Sequence, residues 1–145
     1  MNDLRRFNQS LKFAFKGLSA LHKSERNFRI QTFIGLIVLV IALFMDINEY
    51  EVLWLSFSVM LVLLMEGLNT VVEKMLDLLY PEYNALVGKI KDISAAVVLI
   101  AAVFSIVAGI TIFGKVLFKF NPKYGIIVAV VFILLIKALS PKGGE

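Results

Sequence analysis

Glu66, Asn69, Glu73 and Asp77 recur at intervals of three and four within the stretch EGLNTVVEKMLD, residues 66–77. That spacing sets the four polar side chains along one side of a single helix. The stretch closes an apolar run, 52–65, that carries no charge. A carboxylate at the edge of a membrane span is costly to keep there, so its first interpretation is functional. Two carboxylates two turns apart with an amide between them can hold a hard cation, and one of them can take a proton from a hydroxyl. The competing interpretation is structural, a polar contact between helices.

The elements around this stretch must place it at a membrane. Hydrophobic residues make up 59% of the chain and the mean hydropathy is +0.86, against about half apolar in an ordinary soluble domain. The 145 residues allow one domain. Cysteine is absent, which excludes disulfides, thiolate nucleophiles and thiolate metal sites. His22 lies in a basic segment and reads as solvated or headgroup-facing rather than as a ligand. A metal would therefore be held by oxygen, which points to magnesium-like chemistry. The net charge of +4 gathers near the expected cytoplasmic face. It suits anionic lipid headgroups or a phosphorylated substrate, and no nucleic-acid motif accompanies it.

Within residues 1–24, Leu4, Phe7, Leu11, Ala14, Phe15, Leu18 and Leu21 recur every three or four positions, with Arg5, Arg6, Lys12, Lys16 and Lys23 on the other faces. This predicts a basic amphipathic helix in the membrane interface, not the continuous apolar core of a signal peptide. In the polar segment 24–29, Glu25 is expected to pair locally with Lys23, Arg26 or Arg29. Residues 30–45 are free of charge. They are slightly short of the roughly 20 residues of a span, and Phe28 with a snorkelling Arg29 extends them. The acidic stretch DINEYE, 46–51, then falls outside and the basic N-terminus in the cytoplasm by the positive-inside rule. Trp54 sits at belt height.

The uncharged residues 52–65 rise only about 21 Å at 1.5 Å per residue, short of a hydrocarbon core of about 30 Å. Glu66 is thus expected within the cytoplasmic leaflet, where a carboxylate suits a general base. The helix should continue to Leu79 or Tyr80, before Pro81 and the turn 81–84. Lys91 and Asp92 precede a third span, 93–114. This pair is either a charge feature of a helix start or, for Lys91, a neutraliser of phosphate oxygens. Lys115, Lys119 and Lys123 fall outside, against the positive-inside rule. A fourth apolar segment, 124–139, is closed by Lys137, Pro141 and Lys142; it is expected to return the chain to the cytoplasm, a re-entrant or interfacial helix being the alternative. No glycine-rich P-loop or protein-kinase motif is present.

Three motifs together carry a family resemblance. Residues 66–73 stand as E-x-x-N-T-x-x-E, residues 90–99 as IKDISAAVVL and residues 24–30 as SERNFRI. In this register, over roughly residues 6–114, the chain resembles the prokaryotic diacylglycerol kinase family of small membrane lipid kinases, which includes undecaprenol kinases. The resemblance implies an ATP- and Mg2+-dependent kinase acting on a membrane lipid hydroxyl, undecaprenol ahead of diacylglycerol. It also implies a homotrimer in the bacterial inner membrane, with ATP, the lipid and the anionic bilayer as partners. By carry-over, Glu66 is the base, and Glu25 and Glu73 bind the metal. Arg6, Asn69, Glu82, Tyr83, Asn84, Lys91 and Asp92 hold the nucleotide. Gln31, where diacylglycerol-type enzymes carry an acidic residue, Phe13 in place of a Tyr, and the pair Ser94-Ala95 depart from the family pattern.

The fold expected is an all-α integral membrane protein in one domain, 1–145. It comprises an N-terminal amphipathic surface helix and the motif leading into the first span (1–29), three core transmembrane helices (30–114) and an extra C-terminal hydrophobic segment (115–145) holding a fourth transmembrane helix. A rival function is a non-catalytic transport or assembly subunit in which Glu66 and Asn69 are inter-helix glue. A lipid phosphatase is weaker, since His22 would be its only nucleophile of the usual kind.

Overall fold

The computed structural model describes residues 2–139 apart from Tyr83, and of Asn2 only the backbone. Five helices follow in chain order: α1 (Asn2–Ser24), α2 (Arg26–Ala42), α3 (Glu49–Leu79), α4 (Ala85–Phe118) and α5 (Lys123–Leu139). No strand occurs among the described residues.

Helix α1 carries its apolar stripe almost uncovered, with Leu4, Phe7, Leu11, Phe15 and Leu18 all exposed. Its last turn reaches α3, where a Cβ on Gly67 would stand 3.4 Å from Leu21 Cδ2. The junction into α2 is a single residue, Glu25, in extended conformation. Arg29 folds back across it and donates to the carbonyl oxygens of His22 (3.2 Å) and Lys23 (2.9 Å). A cation there satisfies carbonyls that the end of α1 would leave without partners. Phe28 is buried at the same junction, edge-on to the His22 ring.

The first apolar run ends sooner than its hydropathy predicts. α2 closes at Ala42 and residues 43–45 turn, whereas the uncharged run extends to Met45. A following capping box explains where the next helix starts. Asn48 Oδ1 accepts from Glu51 N at 3.0 Å, and Glu51 Oε2 accepts from Asn48 N at 2.9 Å. The loop must leave room for that reciprocal pair before α3.

α3 and α4 form the centre of the molecule. Both are long and apolar enough to cross a membrane; at 31 and 34 residues they measure about 46 and 51 Å, more than a hydrocarbon core of about 30 Å. Their contact is built from small and apolar residues. Leu55, Ser58, Val59 and Ala101 are buried, and Ser105 donates to Ser58 Oγ at 3.3 Å. Small side chains let helices approach closely where the surrounding medium gives no hydrophobic drive. α2 joins this pair at Gly35, where a Cβ would lie 2.6 Å from Val59 Cγ1.

At the far end of α3 and α4, Lys115 donates to Glu51 Oε1 at 2.7 Å. This gives one of the three lysines that the positive-inside rule disfavours an acidic partner. α4 is capped by Lys119, whose left-handed backbone (φ 53°) returns Phe120 N to the Gly114 carbonyl at 3.0 Å. α5 then packs back on α4, with Gly125 so close that a Cβ would collide with Thr111 Oγ1. Pro141 and Lys142, expected to close this segment, lie outside the described residues.

Candidate functional site

The C-terminal half of α3 presents its polar face toward α2 and the α1–α2 junction. Helix propensity and the unbroken apolar pattern carry α3 straight past Glu66, and the helix stops at Leu79, before Pro81. Glu66 is only 4% exposed. Gln31, in the second turn of α2, donates its Nε2 to Glu66 Oε2 at 3.2 Å, and Thr70 Oγ1 donates to the Glu66 carbonyl. No cation contacts the Glu66 carboxylate among the described residues. A buried carboxyl group held only by a neutral amide is costly to keep there, which marks Glu66 as a candidate functional residue.

One turn on, Asn69 is buried and its Nδ2 donates to Glu73 Oε1 at 2.9 Å. Two amide oxygens remain buried and unpartnered: Asn69 Oδ1 and Gln31 Oε1. Gln31 also lines a groove of about 400 Å³ between α2, α3 and α4, whose other walls include Gly35, Val59, Ala102 and Ile106. The polar cluster thus opens at one end onto an apolar trough.

Glu25 does not make the local pair expected of it. Its Oε1 lies 3.0 Å from Lys74 Nζ on α3, while Arg29 is turned to the α1 carbonyls. The Lys74 hydrogen bond, and next the one from Ser24, hold the Glu25 carboxyl below its usual range. Lys91 likewise pairs not with its neighbour Asp92 but with Asp77 across the α3–α4 turn. These two pairs tie the α1–α2 junction and the start of α4 to the same end of α3.

The remaining predicted residues are less gathered. Arg6 is exposed in the second turn of α1. Glu82 is exposed in the turn, Asp92 is exposed on α4, and Tyr83 lies outside the described residues. Asn84 caps α4, its Oδ1 accepting from Leu86 N at 2.8 Å. Lys74 and Asp77 belong to the cluster, although neither is among the residues given a role from sequence: Asp77 is placed on the helix face only, and Lys74 is not singled out. Their signal was available in the spacing: Asp77 continues the 66, 69, 73 series, and Lys74 is adjacent to Glu73.

The donor set is all oxygen. No group of three or more His, Asp or Glu converges among the described residues, so a hard cation would take one or two carboxylates and complete its shell elsewhere. That is the habit of magnesium bound with a nucleotide's phosphates. The buried, unpartnered Asn69 Oδ1 beside Glu73 is a further oxygen suited to such a cation or its water. The residues therefore fit the metal.

The sequence profile of prokaryotic diacylglycerol kinases matches residues 12–113. The chain belongs to this family. Among its relatives, the diacylglycerol kinase of Escherichia coli strain K12 is 36% identical over 66% of this chain and 78% of its own length. The undecaprenol kinase of Bacillus subtilis is 31% identical over 77% of this chain and 91% of its own. A diacylglycerol kinase of Synechocystis is 35% identical over 69% of this chain, which spans 58% of that relative, less than two thirds. The family match covers the Glu66 cluster and ends within α4, so α5 lies outside it.

Proposed function

We propose that the chain transfers the γ-phosphoryl group of ATP to the hydroxyl of a membrane lipid at the cytoplasmic face of the bacterial inner membrane. The observation that carries this is Glu66, buried within a long apolar helix, held by one amide and facing no cation. A lipid hydroxyl that never leaves the bilayer can donate to this carboxylate. As the hydroxyl oxygen attacks the γ-phosphorus, its proton passes to Glu66 and ADP departs with the bridging oxygen. Gln31 both bonds Glu66 and lines the groove, so it links the carboxylate to the apolar trough, which suits a lipid chain lying against α2 and α4.

Glu25 and Glu73 would hold the magnesium ion, and Asn69, Lys91 and Asp92 would hold the nucleotide with Arg6 and the turn Glu82-Tyr83-Asn84. When bound, magnesium supplies charge neutralisation across the β- and γ-phosphates. In this reading α1 lies in the interface of an anionic bilayer with its N-terminus cytoplasmic. Helices α2, α3 and α4 cross the membrane, α5 returns through it, and three copies assemble. Undecaprenol is the first acceptor to test and diacylglycerol the second, these being the substrates that name the relatives.

Phosphate transfer from ATP to each lipid in mixed micelles, with and without magnesium, tests the proposal. Glu66→Gln should lower turnover by about 10²–10⁴-fold, the range for a lost general base, with its helical content intact. The rival assignment, in which Glu66 is only an inter-helix contact, predicts near wild-type transfer from this variant, because glutamine can still bond to Gln31.

A further inference from the structure

Lys74 is a charged group at the centre of the cluster that the proposed chemistry does not use. Its Nζ stands 3.0 Å from Glu25 Oε1 and donates to Ser24 Oγ at 2.9 Å, while Ser24 Oγ itself donates to Glu25 Oε1 at 2.9 Å. The three groups close a small ring that fixes the Glu25 carboxylate against α3. Arg29 is committed to the carbonyls of His22 and Lys23, so the ammonium in contact with Glu25 comes from Lys74. The Lys74 side chain is 58% exposed and that of Glu25 25%. A pair this open is weakly held, and an ammonium on a flexible stem exchanges readily with water.

A divalent cation and an ammonium on one carboxylate repel each other. We infer that Lys74 is the resident counter-ion of Glu25, which a divalent cation must displace, and that Lys74 thereby weakens the chain's affinity for that cation. This rests on the assignment of Glu25 to the metal in the proposed function. Until displaced, Lys74 holds Glu25 against α3, the helix that carries Glu73, so the ligand is kept in place without the ion. Lys74 is thus a positioning residue that also sets the threshold for metal binding.

The test uses the full chain in detergent micelles without lipid or nucleotide. Mn2+ serves as the probe, and the free ion is counted from its electron paramagnetic resonance signal. Lys74→Met should bind Mn2+ about two- to fivefold more tightly than wild type, the size of an exposed ion pair. Lys74→Arg, which keeps the charge, should stay near wild type, and Glu25→Gln should bind more weakly. Should Lys74→Met fail to fold, Lys74→Gln serves as the uncharged variant.

Unchanged or weaker binding by the uncharged variant, with Glu25→Gln still weakened, overturns the role of Lys74 and leaves the metal assignment standing. Tightening by Lys74→Arg equal to that by the uncharged variant overturns it too, since charge would not be the cause. Wild-type binding by Glu25→Gln, or no binding by any variant both alone and when the titration is repeated with a non-hydrolysable ATP analogue, removes the metal assignment and this inference with it.

Discussion

At the scale of single residues, the proposed chemistry turns on how one buried carboxylate is held. Glu66 has its cross-helix partner in Gln31, 35 residues earlier in the chain. Leucine is close to glutamine in size but cannot donate a hydrogen bond. Gln31→Leu would leave Glu66 buried without that partner, at a cost of about 1–3 kcal/mol. It would also free the carboxylate to rotate. A displacement of about 1 Å in a positioned group can slow chemistry about 10²-fold. The expected outcome is a 10- to 100-fold fall in kcat with the KM for Mg-ATP unchanged, measured by steady-state kinetics in mixed micelles. A raised KM with kcat intact would place Gln31 on the nucleotide side instead. Local periodicity could make Glu66, Asn69 and Glu73 visible, because all three lie on one helix at spacings of three and four. It could not show Gln31 against Glu66, or Lys74 against Glu25 in place of the nearer arginines. Those contacts depend on how three helices meet, and no local pattern encodes a meeting 35 or 49 residues apart.

At the scale of elements, the site exists because α2 can come close enough to α3. Gly35 is the point of nearest approach, with Val59 Cγ1 already where a Cβ would need to be. Valine is branched at Cβ and has little freedom to yield. Gly35→Ala should therefore push the helices apart and destabilise the protein by about 1–3 kcal/mol, the usual cost of overpacking. Val59→Ala alone opens a small void and costs some stability of its own. Placed in the Gly35→Ala background it should recover much of the loss, because the two changes occupy the same space. Thermal unfolding of the two single variants and the double variant in micelles measures that coupling. Additive losses would mean that the helices relax at this point at little cost. The sequence made helix existence and the end of α3 legible, through an unbroken apolar pattern and Pro81. The end of α2 was not legible, because hydropathy continues to Met45 while the backbone must already be turning toward the Asn48–Glu51 box. Asn84 shows a related limit: a residue assigned to nucleotide by resemblance is also the cap of α4.

At the scale of the whole molecule, two ion pairs clamp α3 to α4 at opposite ends. Lys91 meets Asp77 near the proposed site, and Lys115 meets Glu51 at the other end. Along α3 the 26 residues from Glu51 to Asp77 rise about 39 Å, close to the 40–45 Å of a bilayer with its headgroups. Both pairs would then sit among headgroups on opposite faces, and Glu66 would fall about 16 Å inward from Asp77, within reach of a lipid hydroxyl. This arrangement makes a prediction about sidedness that does not depend on activity. The chain has no cysteine, so single cysteines report without background. Asp46→Cys, between α2 and α3, should react with a membrane-impermeant maleimide in intact cells. Lys89→Cys, at the start of α4, should react only after the membrane is permeabilised. A cysteine appended after the last residue should behave like Lys89→Cys if α5 crosses the bilayer, and like Asp46→Cys if α5 stays at the outer surface. Labelling of Asp46→Cys and Lys89→Cys from the same side would break the topology that puts Glu66 in the cytoplasmic leaflet. The lipid and the nucleotide would then have no common face at which to meet.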